Sequence, residues 1–540
     1  MKITETFLPG SNVIATDYIA EEKNISAFFD YTYQHETSYE ERYRDLMERT
    51  YDRTSLIRHL ISFNERYEPH DRVMKNIERL KQKEAVTVVA GQQAGVLTGP
   101  LYTINKALSV IKLAEEKEAS LGVPVIPVFW VAGEDHDYHE VNHIHTYDTN
   151  REKKIAVPQK QLTKQALSDI SLDREKLNDW TRDMLHHFGE TSFTKDIQVW
   201  LEEVTAKSDT FVDHFCHMMT KLFSKHGLVL VDSGNSDFRN LQSNEFKKMI
   251  LQNKSINEGV MNQAAQLQEA GYPIGVDLDE NQANLFARIN GERILLERSE
   301  NGFVGKTANV SFTEAELLQM AEEHPADLSN NVVTRPIMQD AIFPVLAFVA
   351  GPGELAYWAL LKPAFRAFDF KMPVIVPRLT FTFVERHIQK HVVDLSLQVE
   401  EILNSGIQSF KESYVSKLDD VGIGSAFKDA KVKVEEIHQE LRHLTSRVDG
   451  GLEKYADKNG RFLQRQLDLL QDKLYQSIEY KHENDLAKFD EVGLALKPNG
   501  APQERKWNVV YYLNWYGSDF VDRLMSLDID FNEKHKVVYL

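Results

Sequence analysis

The sequence predicts an α/β fold with a parallel β-sheet, followed by a long helical segment. Apolar, largely β-branched runs at 86–90, 123–132 and 345–350 show no alternation with polar residues, which is typical of strands buried on both faces. Helical patterns alternate with these runs, which indicates a parallel sheet. From about residue 384 to 495 apolar residues instead recur at alternating steps of three and four, which predicts a coiled coil.

The composition describes a large globular protein without a broad basic surface. With 540 residues, of which 42 % are hydrophobic and 10 % aromatic, the chain can form several domains with sizeable cores. The net charge of −19 argues against a nucleic-acid partner or an anionic membrane surface. No apolar stretch approaches the roughly 18 residues of a membrane span. The N-terminus has no signal-peptide pattern, so we expect a cytoplasmic protein.

The only cysteine is Cys216, so the chain can form no intrachain disulfide. It lies beside Phe215 and Met218 in a segment, 198–226, that we expect to be helical. Because cysteine packs as a small hydrophobic residue, a buried and inert thiol is expected there.

A glycine-rich turn joins the first apolar run to a helix. It reads Gly-Gln-Gln-Ala-Gly at 91–95 and Thr-Gly-Pro at 98–100, which predicts Pro100 as the first helical residue with Gly99 as N-cap. Free N–H groups at a helix start attract anions. The spacing matches neither the dinucleotide fingerprint nor the phosphate loop. The turn is therefore either a ligand cradle or a purely structural connection.

The second apolar run ends in an acidic and imidazole cluster, residues 133–140 (Gly-Glu-Asp-His-Asp-Tyr-His-Glu). Pro124 and Pro127 within that run require an edge, a bend or a strand start. Residues 351–354 (Gly-Pro-Gly-Glu) repeat the order of apolar strand, glycine turn and helix. Parallel sheets bind ligands beyond the carboxyl ends of their strands, so these turns and the Asp-His-Asp cluster predict a binding site at one edge.

Two further segments carry hypotheses with alternatives. The helical pattern through Val434, Ile437 and Leu441 forms a narrow apolar seam, which needs a partner helix; we expect an antiparallel hairpin and pairing with a second copy of the chain. Near the C-terminus, Arg505 and Asn508 are three residues apart and would share a helix face. Arg505 either binds phosphate or starts a charged helix that docks the tail.

In combination these motifs resemble the cysteine-adding enzymes of bacillithiol biosynthesis. The resemblance covers the whole chain in order, and the motifs that carry it lie at 91–95, 98–103, 135–140, 335–336, 351–354 and 503–505. It implies a Rossmann-like core similar to class I aminoacyl-tRNA synthetases, with two connecting-peptide insertions and an α-helical coiled-coil domain that forms a homodimer. The implied reaction is a ligation of L-cysteine to glucosaminyl-malate that gives bacillithiol. ATP or ADP is the implied cofactor, bound in a pocket separate from the Rossmann cleft.

This reading sets the expected domain boundaries. The first half of the Rossmann-like core is expected at 1–147, with an N-terminal cover over the first strand, and a small polar insertion follows at 148–197. The core continues at 198–254, and a second, largely antiparallel insertion at 255–330 contains strands at 273–276, 285–289 and 293–297. The second half of the core is expected at 331–383, the coiled coil at 384–495, and a C-terminal segment that packs back on the core at 496–540.

The synthetase signatures themselves are missing. No His-Ile-Gly-His occupies the turn at 98–103, and no Lys-Met-Ser-Lys-Ser follows the last core strand. The residues therefore do not decide between adenylate and acyl-phosphate activation. His143 and His145 lie off the expected position and receive no catalytic role.

The predicted site has three groups of residues. The catalytic residues are Asp135, His136 and Asp137, which would position or deprotonate a substrate ammonium. The substrate-binding residues are Gln92, Gln93, Gly95, Thr98, Thr103, Glu140, Arg335, Gln339, Glu354, Tyr357 and Arg378, with the arginines as carboxylate ligands. Glu354 has an equally good alternative explanation without a ligand, because a negative charge in the first turn of a helix interacts favourably with the helix dipole. The nucleotide-binding residues are Glu385, Arg386, Gly500, Gln503, Arg505 and Asn508.

Other readings stay open. Zinc could bind His139 and His143, four apart on a predicted helix, with Asp135 and His136 nearby; no thiolate ligand accompanies them, and we expect no metal. A different α/β transferase acting on a sugar nucleotide would use the same glycine turns. A non-enzymatic coiled-coil scaffold would not need the Gln, Asp, His and Arg residues that gather at strand ends.

Overall fold

A computed structural model describes residues 1–10, 12–148, 151–161, 163–419 and 422–540. The chain divides into two compact units. The first comprises Met1–Asp148, Glu152–Thr382 and Gln503–Val538, and the second consists mainly of Phe383–Pro502.

The elements are numbered in chain order. The strands are β1 Lys2–Thr6, β2 Val86–Gln92, β3 Val125–Val131, β4 His143–Asp148, β5 Arg151–Ala156, β6 Val229–Asp232, β7 Gln282–Ile289, β8 Glu292–Ser299, β9 Gly302–Gly305, β10 Ser311–Phe312, β11 Leu328–Asn330, β12 Val345–Ala350, β13 Val374–Pro377, β14 Phe381–Val384 and β15 His535–Tyr539. The α-helices of the first unit are α1 Val13–Ile19, α2 Lys23–Ser26, α3 Glu36–Met47, α4 Arg53–Glu65, α5 Asp71–Arg79, α6 Tyr102–Leu121, α7 Tyr138–Val141, α8 Arg174–Phe188, α9 Thr194–Lys207, α10 Phe211–Phe223, α11 Ser236–Asn240, α12 Ser243–Leu251, α13 Asn253–Glu269, α14 Glu314–Glu323, α15 Thr334–Ile342, α16 Pro352–Trp358 and α17 Lys362–Arg366. The second unit contains α18 Arg386–Asp394, α19 Val399–Ser405, α20 Gln408–Lys417, α21 Ile423–Val448, α22 Glu453–Lys481 and α23 Glu483–Leu496; α24 Val509–Tyr516 and α25 Phe520–Met525 belong to the first.

The core of the first unit is a five-stranded parallel sheet in the order β13-β12-β2-β3-β6. Every residue of β3 and β12 is buried, as are the first six of β2. This confirms the predicted α/β fold and the three apolar runs as its strands. Helix α6 returns from β2 to β3 and packs against both.

Pro127 lies in β3 although β3 is an interior strand. Residues Val125 to Pro127 pair with β2, whereas pairing with β6 begins only at Val128. Pro127 therefore occupies a stretch where the side facing β6 is still an edge, which is where a residue without an N–H is tolerated. The expectation that Pro127 lies at a sheet edge is therefore met at this position, although β3 as a whole is an interior strand.

The N-terminal helices cover the sheet, mainly over strands other than β2. Helix α3 packs on β12 and β13, and α4 packs on β6. The fully buried Arg42 of α3 donates to the carbonyls of Val345 and Lys371 and pairs with Asp340. The cover over the first strand that the sequence suggested thus lies chiefly on its neighbours.

Two element predictions were wrong for local reasons. The segment 198–226 forms two helices, α9 and α10, because Thr210 caps α10 in a capping box with Asp213, a Thr-x-x-Asp signal present in the sequence. Residues 273–276 form no strand; Pro273 has no N–H to donate and Gly275 weakens extended structure.

The side chain of Cys216 in α10 is buried, as expected from the sequence.

A second, antiparallel sheet has the order β10-β9-β8-β7-β11. Its β7–β8 hairpin turns at Asn290 and Gly291, with φ of 52° and 83°. Positive φ at both positions is what this dipeptide favours in a tight hairpin. The predicted strands at 285–289 and 293–297 are confirmed, whereas the start of that segment is helix α13.

The second unit contains the predicted coiled-coil hairpin. Helices α21 and α22 pack side by side, and the pairs Lys431–Asp468 and Arg442–Asp457 show that they run antiparallel. The apolar pattern at 388–402, in contrast, crosses a break between α18 and α19, where Ser396 has a φ of 54°.

Within the described ranges, no helix has both the length and the apolar character that a membrane span requires.

Candidate functional site

Polar side chains gather where the parallel strands end. The carboxyl ends of β2, β3, β12 and β13 are followed by Gln93, residues 133–137, Gly351 and Arg378. Because parallel strands end at one edge of a sheet, these segments meet there. A direct contact shows it: the Gln93 amide nitrogen lies 2.6 Å from Asp135 Oδ2 and 2.9 Å from Glu140 Oε2.

The glycine turn after β2 is held tightly by the C-terminal segment. Leu97, Thr98 and Gly99 have φ of 52°, 72° and 70°, an unfavourable run for residues with a Cβ. The Asn508 amide donates to the carbonyls of Leu97 and Gly99, at 2.9 and 2.7 Å. No local sequence pattern indicates this contact, because Asn508 is 411 positions from Leu97 and 409 positions from Gly99 along the chain.

The helix after this turn starts later than predicted. Helix α6 begins at Tyr102 with Leu101 as N-cap, not at Pro100 with Gly99. The N–H of Leu101 donates to Trp507 O and that of Gly99 to Val96 O, both at 2.9 Å. These donors are used within the fold, which favours the structural reading of the turn over an anion cradle.

Lys106 joins the two glycine turns. Its side chain is 4 % exposed and donates to Gly91 O at 2.7 Å and to Gln92 Oε1 at 2.9 Å. It also forms an ion pair with Glu354, whose carboxylate accepts the N–H of Gly351 at 2.8 Å. Burial lowers the pKa of Lys106, and Glu354 opposes that shift. Lys106 was not among the predicted site residues, although a lysine inside an apolar helical pattern is a detectable signal.

Arg378 already has a carboxylate partner in the protein. Both of its terminal nitrogens contact Glu504, at 2.6 and 2.5 Å, and Asn105 donates to the same carboxylate at 2.7 Å. Burial opposes the ionisation of Glu504, but the Arg378 guanidinium outweighs it and the pKa of Glu504 lies below its ordinary value. A substrate carboxylate would have to compete with this pair.

Arg335, by contrast, has unused donor capacity. It contacts the Tyr357 hydroxyl, and its Nε has no hydrogen-bond partner among the described residues. Burial raises the pKa of Tyr357 to about 12. One turn further along α15, Gln339 is 2 % exposed and neither amide atom has a partner in the described part of the chain. Buried groups of this kind are normally satisfied, by a ligand or by water.

A cavity of about 340 Å³ lies between the turn after β3 and the antiparallel sheet. Its walls combine carboxylates, two arginines, amides and apolar side chains. The lining residues are Ala132, Glu134, Asp135, His136, Asp137, Val276, Asp277, Leu278, Gln282, Phe286, Arg293, Leu295, Asn330, Asn331, Val332, Val333 and Arg335. Such a lining can hold a ligand that carries both an ammonium and a carboxylate group.

The predicted catalytic residues line this cavity but differ in freedom. Asp135 accepts the backbone N–H of His136 at 2.7 Å and holds Gln93, so it shapes the turn. Asp137 has a side chain 58 % exposed. The Nδ1 of His136 lies 3.3 Å from Nη1 of Arg293. Arg293 was not predicted for the site, because nothing in a strand pattern marks it.

A second, much smaller cavity of about 30 Å³ lies beside the glycine turn. It collects several predicted substrate-binding residues and the two histidines given no role: Gln92, Gln93, Gly95, Thr103, Glu140, His143 and His145 line it. Thr98 is fully buried and does not line it. A space of this size holds one or two water molecules.

The helical arrangement of His139 and His143 that zinc binding would require is not present. Helix α7 ends at Val141 and His143 begins β4, so His139 and His143 do not share a helix. Across the described residues, no group of three or more His, Cys, Asp or Glu side chains could hold a metal ion.

The predicted nucleotide-binding residues belong partly to the first unit and partly to the second. Gln503 and Asn508 are buried in the first unit and Arg505 is exposed there. Glu385, Arg386 and Gly500 belong to the second unit. The prediction that Arg505 and Asn508 share one helix face was wrong. Arg505 ends a short 3-10 helix, whereas Asn508 is the N-cap of α24.

A Rossmann-like sheet with a charged cavity at its carboxyl edge places the protein among the α/β proteins that bind a ligand beyond the ends of their strands, a class that contains many enzymes. Two family models match the chain: Bacillithiol biosynthesis BshC, N-terminal Rossmann-like domain, over residues 1–379, and Bacillithiol biosynthesis BshC, C-terminal coiled-coil domain, over residues 381–540. The chain belongs to the BshC family of bacillithiol biosynthesis, which confirms the resemblance seen in the sequence.

Curated relatives match over the full length. Proteins of Bacillus cereus (strain Q1) and Bacillus anthracis (strain A0248) are 41 % identical, and one of Bacillus cytotoxicus is 40 % identical, each over 540 residues and 100 % of both chains. All three bear the name "Putative cysteine ligase BshC".

Proposed function

We propose that the protein forms an amide bond between the carboxyl group of L-cysteine and the amine of glucosaminyl-malate, which yields bacillithiol. The name of the relatives supports a cysteine ligase. The observation that carries the proposal is the 340 Å³ cavity, which both carboxylates and arginines line. Glucosaminyl-malate carries one ammonium and two carboxylates, and it matches both kinds of group.

Asp137 is the proposed partner of the substrate ammonium. It is the most accessible carboxylate of the predicted catalytic cluster, because Asp135 is committed to Gln93 and to the backbone of the turn. A carboxylate there would take a proton from the ammonium as the amine attacks the activated acyl carbon.

Arg335 is the proposed ligand of a malate carboxylate, since its Nε has no partner among the described residues and it lines the cavity. Arg378 is less suited because Glu504 occupies both of its terminal nitrogens. The other predicted substrate contacts are retained in the proposal: Gln92, Gln93, Gly95, Thr98, Thr103, Glu140, Gln339, Glu354 and Tyr357.

Activation of the cysteine carboxyl group requires a nucleotide in this proposal. ATP would supply either an adenylate or an acyl phosphate. Of the predicted nucleotide contacts in the first unit, Arg505 suits a phosphate best, because it is exposed. Its charge also partly offsets the effect of burial, which raises the pKa of Tyr102. The amide of Asn508 is engaged with the glycine turn.

The test is reconstitution of the ligation. Purified protein with L-cysteine, glucosaminyl-malate and ATP is expected to yield bacillithiol by mass spectrometry, together with AMP for the adenylate route or ADP for the acyl-phosphate route. Asp137→Asn should lower kcat by about 10²-fold, with an unchanged melting temperature. Asp183→Asn removes an exposed carboxylate on α8 and serves as the matched control. Full activity in Asp137→Asn would exclude this residue from the mechanism.

A further inference from the structure

His136 is held from two sides by the antiparallel sheet. Its ring lies edge-on to Phe286, with centroids 6.0 Å apart, and its Nδ1 lies 3.3 Å from Nη1 of Arg293. Arg293 itself has little freedom. Its Nε donates to Ser329 Oγ at 3.0 Å, its Nη2 donates to Asn330 O, and its guanidinium carbon lies 3.7 Å from the centre of the Phe286 ring.

The Arg293 contact decides where the imidazole carries its proton. A guanidinium has only donors and stays charged at every pH at which proteins fold. If His136 carried a proton on Nδ1, two donors would face each other across 3.3 Å. The contact is a hydrogen bond only when Nδ1 is the acceptor, which leaves the proton of the neutral ring on Nε2.

The other charges around His136 do not reverse this preference. The carboxylates facing it are Asp135 and Asp137 of its own turn, with Asp137 Oδ1 at 4.0 Å from Nε2, and the cations are Arg293 and Lys164. Burial, followed by the charge of Arg293, lowers the pKa of His136, and the two carboxylates oppose the shift only in part. The ring is therefore neutral at pH 7.

We propose that Arg293 is a positioning residue that fixes His136 in the neutral Nε2–H tautomer, so that His136 acts as a hydrogen-bond donor to an acyl or carboxylate oxygen in the cavity. This inference rests on the proposed function of the same site. It changes the role predicted from the sequence, where His136 was grouped with two carboxylates that would position or deprotonate a substrate ammonium. The nitrogen that could accept a proton faces Arg293, so proton acceptance falls to Asp137.

The first test needs no substrate. In full-length protein labelled with ¹⁵N-histidine, the His136 signals, assigned by their loss in His136→Gln, should show a protonated Nε2 and an unprotonated Nδ1 at pH 7. A protonated Nδ1 would overturn the inference. This readout is independent of ligation, so a protein that shows the expected tautomer but makes no bacillithiol would refute the proposed function alone.

The second test changes the donor. Arg293→Gln should raise the pKa of His136 toward 6.5 and lower kcat roughly 10-fold or more, as is usual for residues that orient a catalytic group. Arg293→Lys keeps a donor-only cation and should retain the tautomer of the wild type; it also replaces the glutamine variant if that variant fails to fold. An unchanged His136 tautomer and pKa in Arg293→Gln would contradict the assignment.

Discussion

Single residues in this protein show how burial sets the behaviour of an imidazole. His136 places its Nδ1 against Arg293 and is one of the residues that line a cavity. His214 of α10 is 1 % exposed, and neither of its nitrogens has a hydrogen-bond partner among the described residues. Burial, with a smaller effect of His217, lowers the pKa of His214 to about 3. The surroundings of the two histidines differ because only His136 lines the cavity.

The His214 environment predicts a loss of stability in mild acid. In the unfolded chain this residue binds a proton near pH 6.5, whereas in the folded state it stays neutral to about pH 3. The contribution of His214 to the free energy of unfolding is complete above pH 6.5. It falls as the pH drops, by about 2 kcal/mol between pH 7 and pH 5.

Urea unfolding at pH 7 and pH 5 measures this difference. His214→Leu should reduce the pH dependence by that amount, whereas His187→Leu, at an exposed position of α8, should not. An equal pH dependence in wild type and His214→Leu would refute the argument.

At the level of elements, the glycine turn depends on a distant segment for its shape. Asn508 donates to the carbonyls of the positive-φ residues Leu97 and Gly99, and the carbonyl of Trp507 accepts the N–H of Leu101 just beyond them. The conformation of the turn is therefore a tertiary property. Residues 97–99 alone would not maintain it, because Leu and Thr are unfavourable in the left-handed region.

Asn508→Ala is expected to loosen this turn. The carbonyls of Leu97 and Gly99 would lose a buried donor, which costs about 1–3 kcal/mol, and amide hydrogen exchange at residues 94–103 should speed up. Asn404→Ala, at an exposed position of α19, controls for the loss of an amide side chain. If exchange in the turn were unchanged, the turn would be self-supporting.

The elements also show what the sequence could and could not predict. The parallel strands were predictable because burial on both faces leaves a continuous apolar run. The capping box at Thr210 was a readable signal that was overlooked. The late start of α6 and the partner of Arg378 depend on residues 503–508, about 400 positions from the turn, and no local pattern contains that information. Arg293 is likewise placed in the cavity by sheet packing alone.

For the whole molecule, the coiled-coil hairpin leaves an apolar stripe uncovered. Ile437, Leu441, Leu444 and Val448 of the predicted seam are 60 %, 51 %, 57 % and 77 % exposed, while the hairpin interior contains His438 packed against Gly460. An exposed stripe of this kind on a helix is typical of a protein interface. We therefore expect the homodimer that the sequence suggested to form through this face.

The dimer prediction is tested by changing the stripe. Leu441→Glu combined with Leu444→Glu should convert the protein from dimer to monomer in sedimentation velocity, because two charges on an apolar interface are costly to bury. Lys433→Glu, at an exposed position of the same helix, changes the net charge equally and should leave the dimer intact. A monomeric wild-type protein would exclude this interface.

The burial of Cys216 matters for an enzyme whose family produces a thiol. Burial raises the pKa of this thiol well above its ordinary value, and only the thiolate exchanges with disulfides. The protein thus presents no reactive sulfur of its own to the low-molecular-weight thiols around it. In the folded protein Cys216 is buried, so those thiols have no access to it and do not form a mixed disulfide with it.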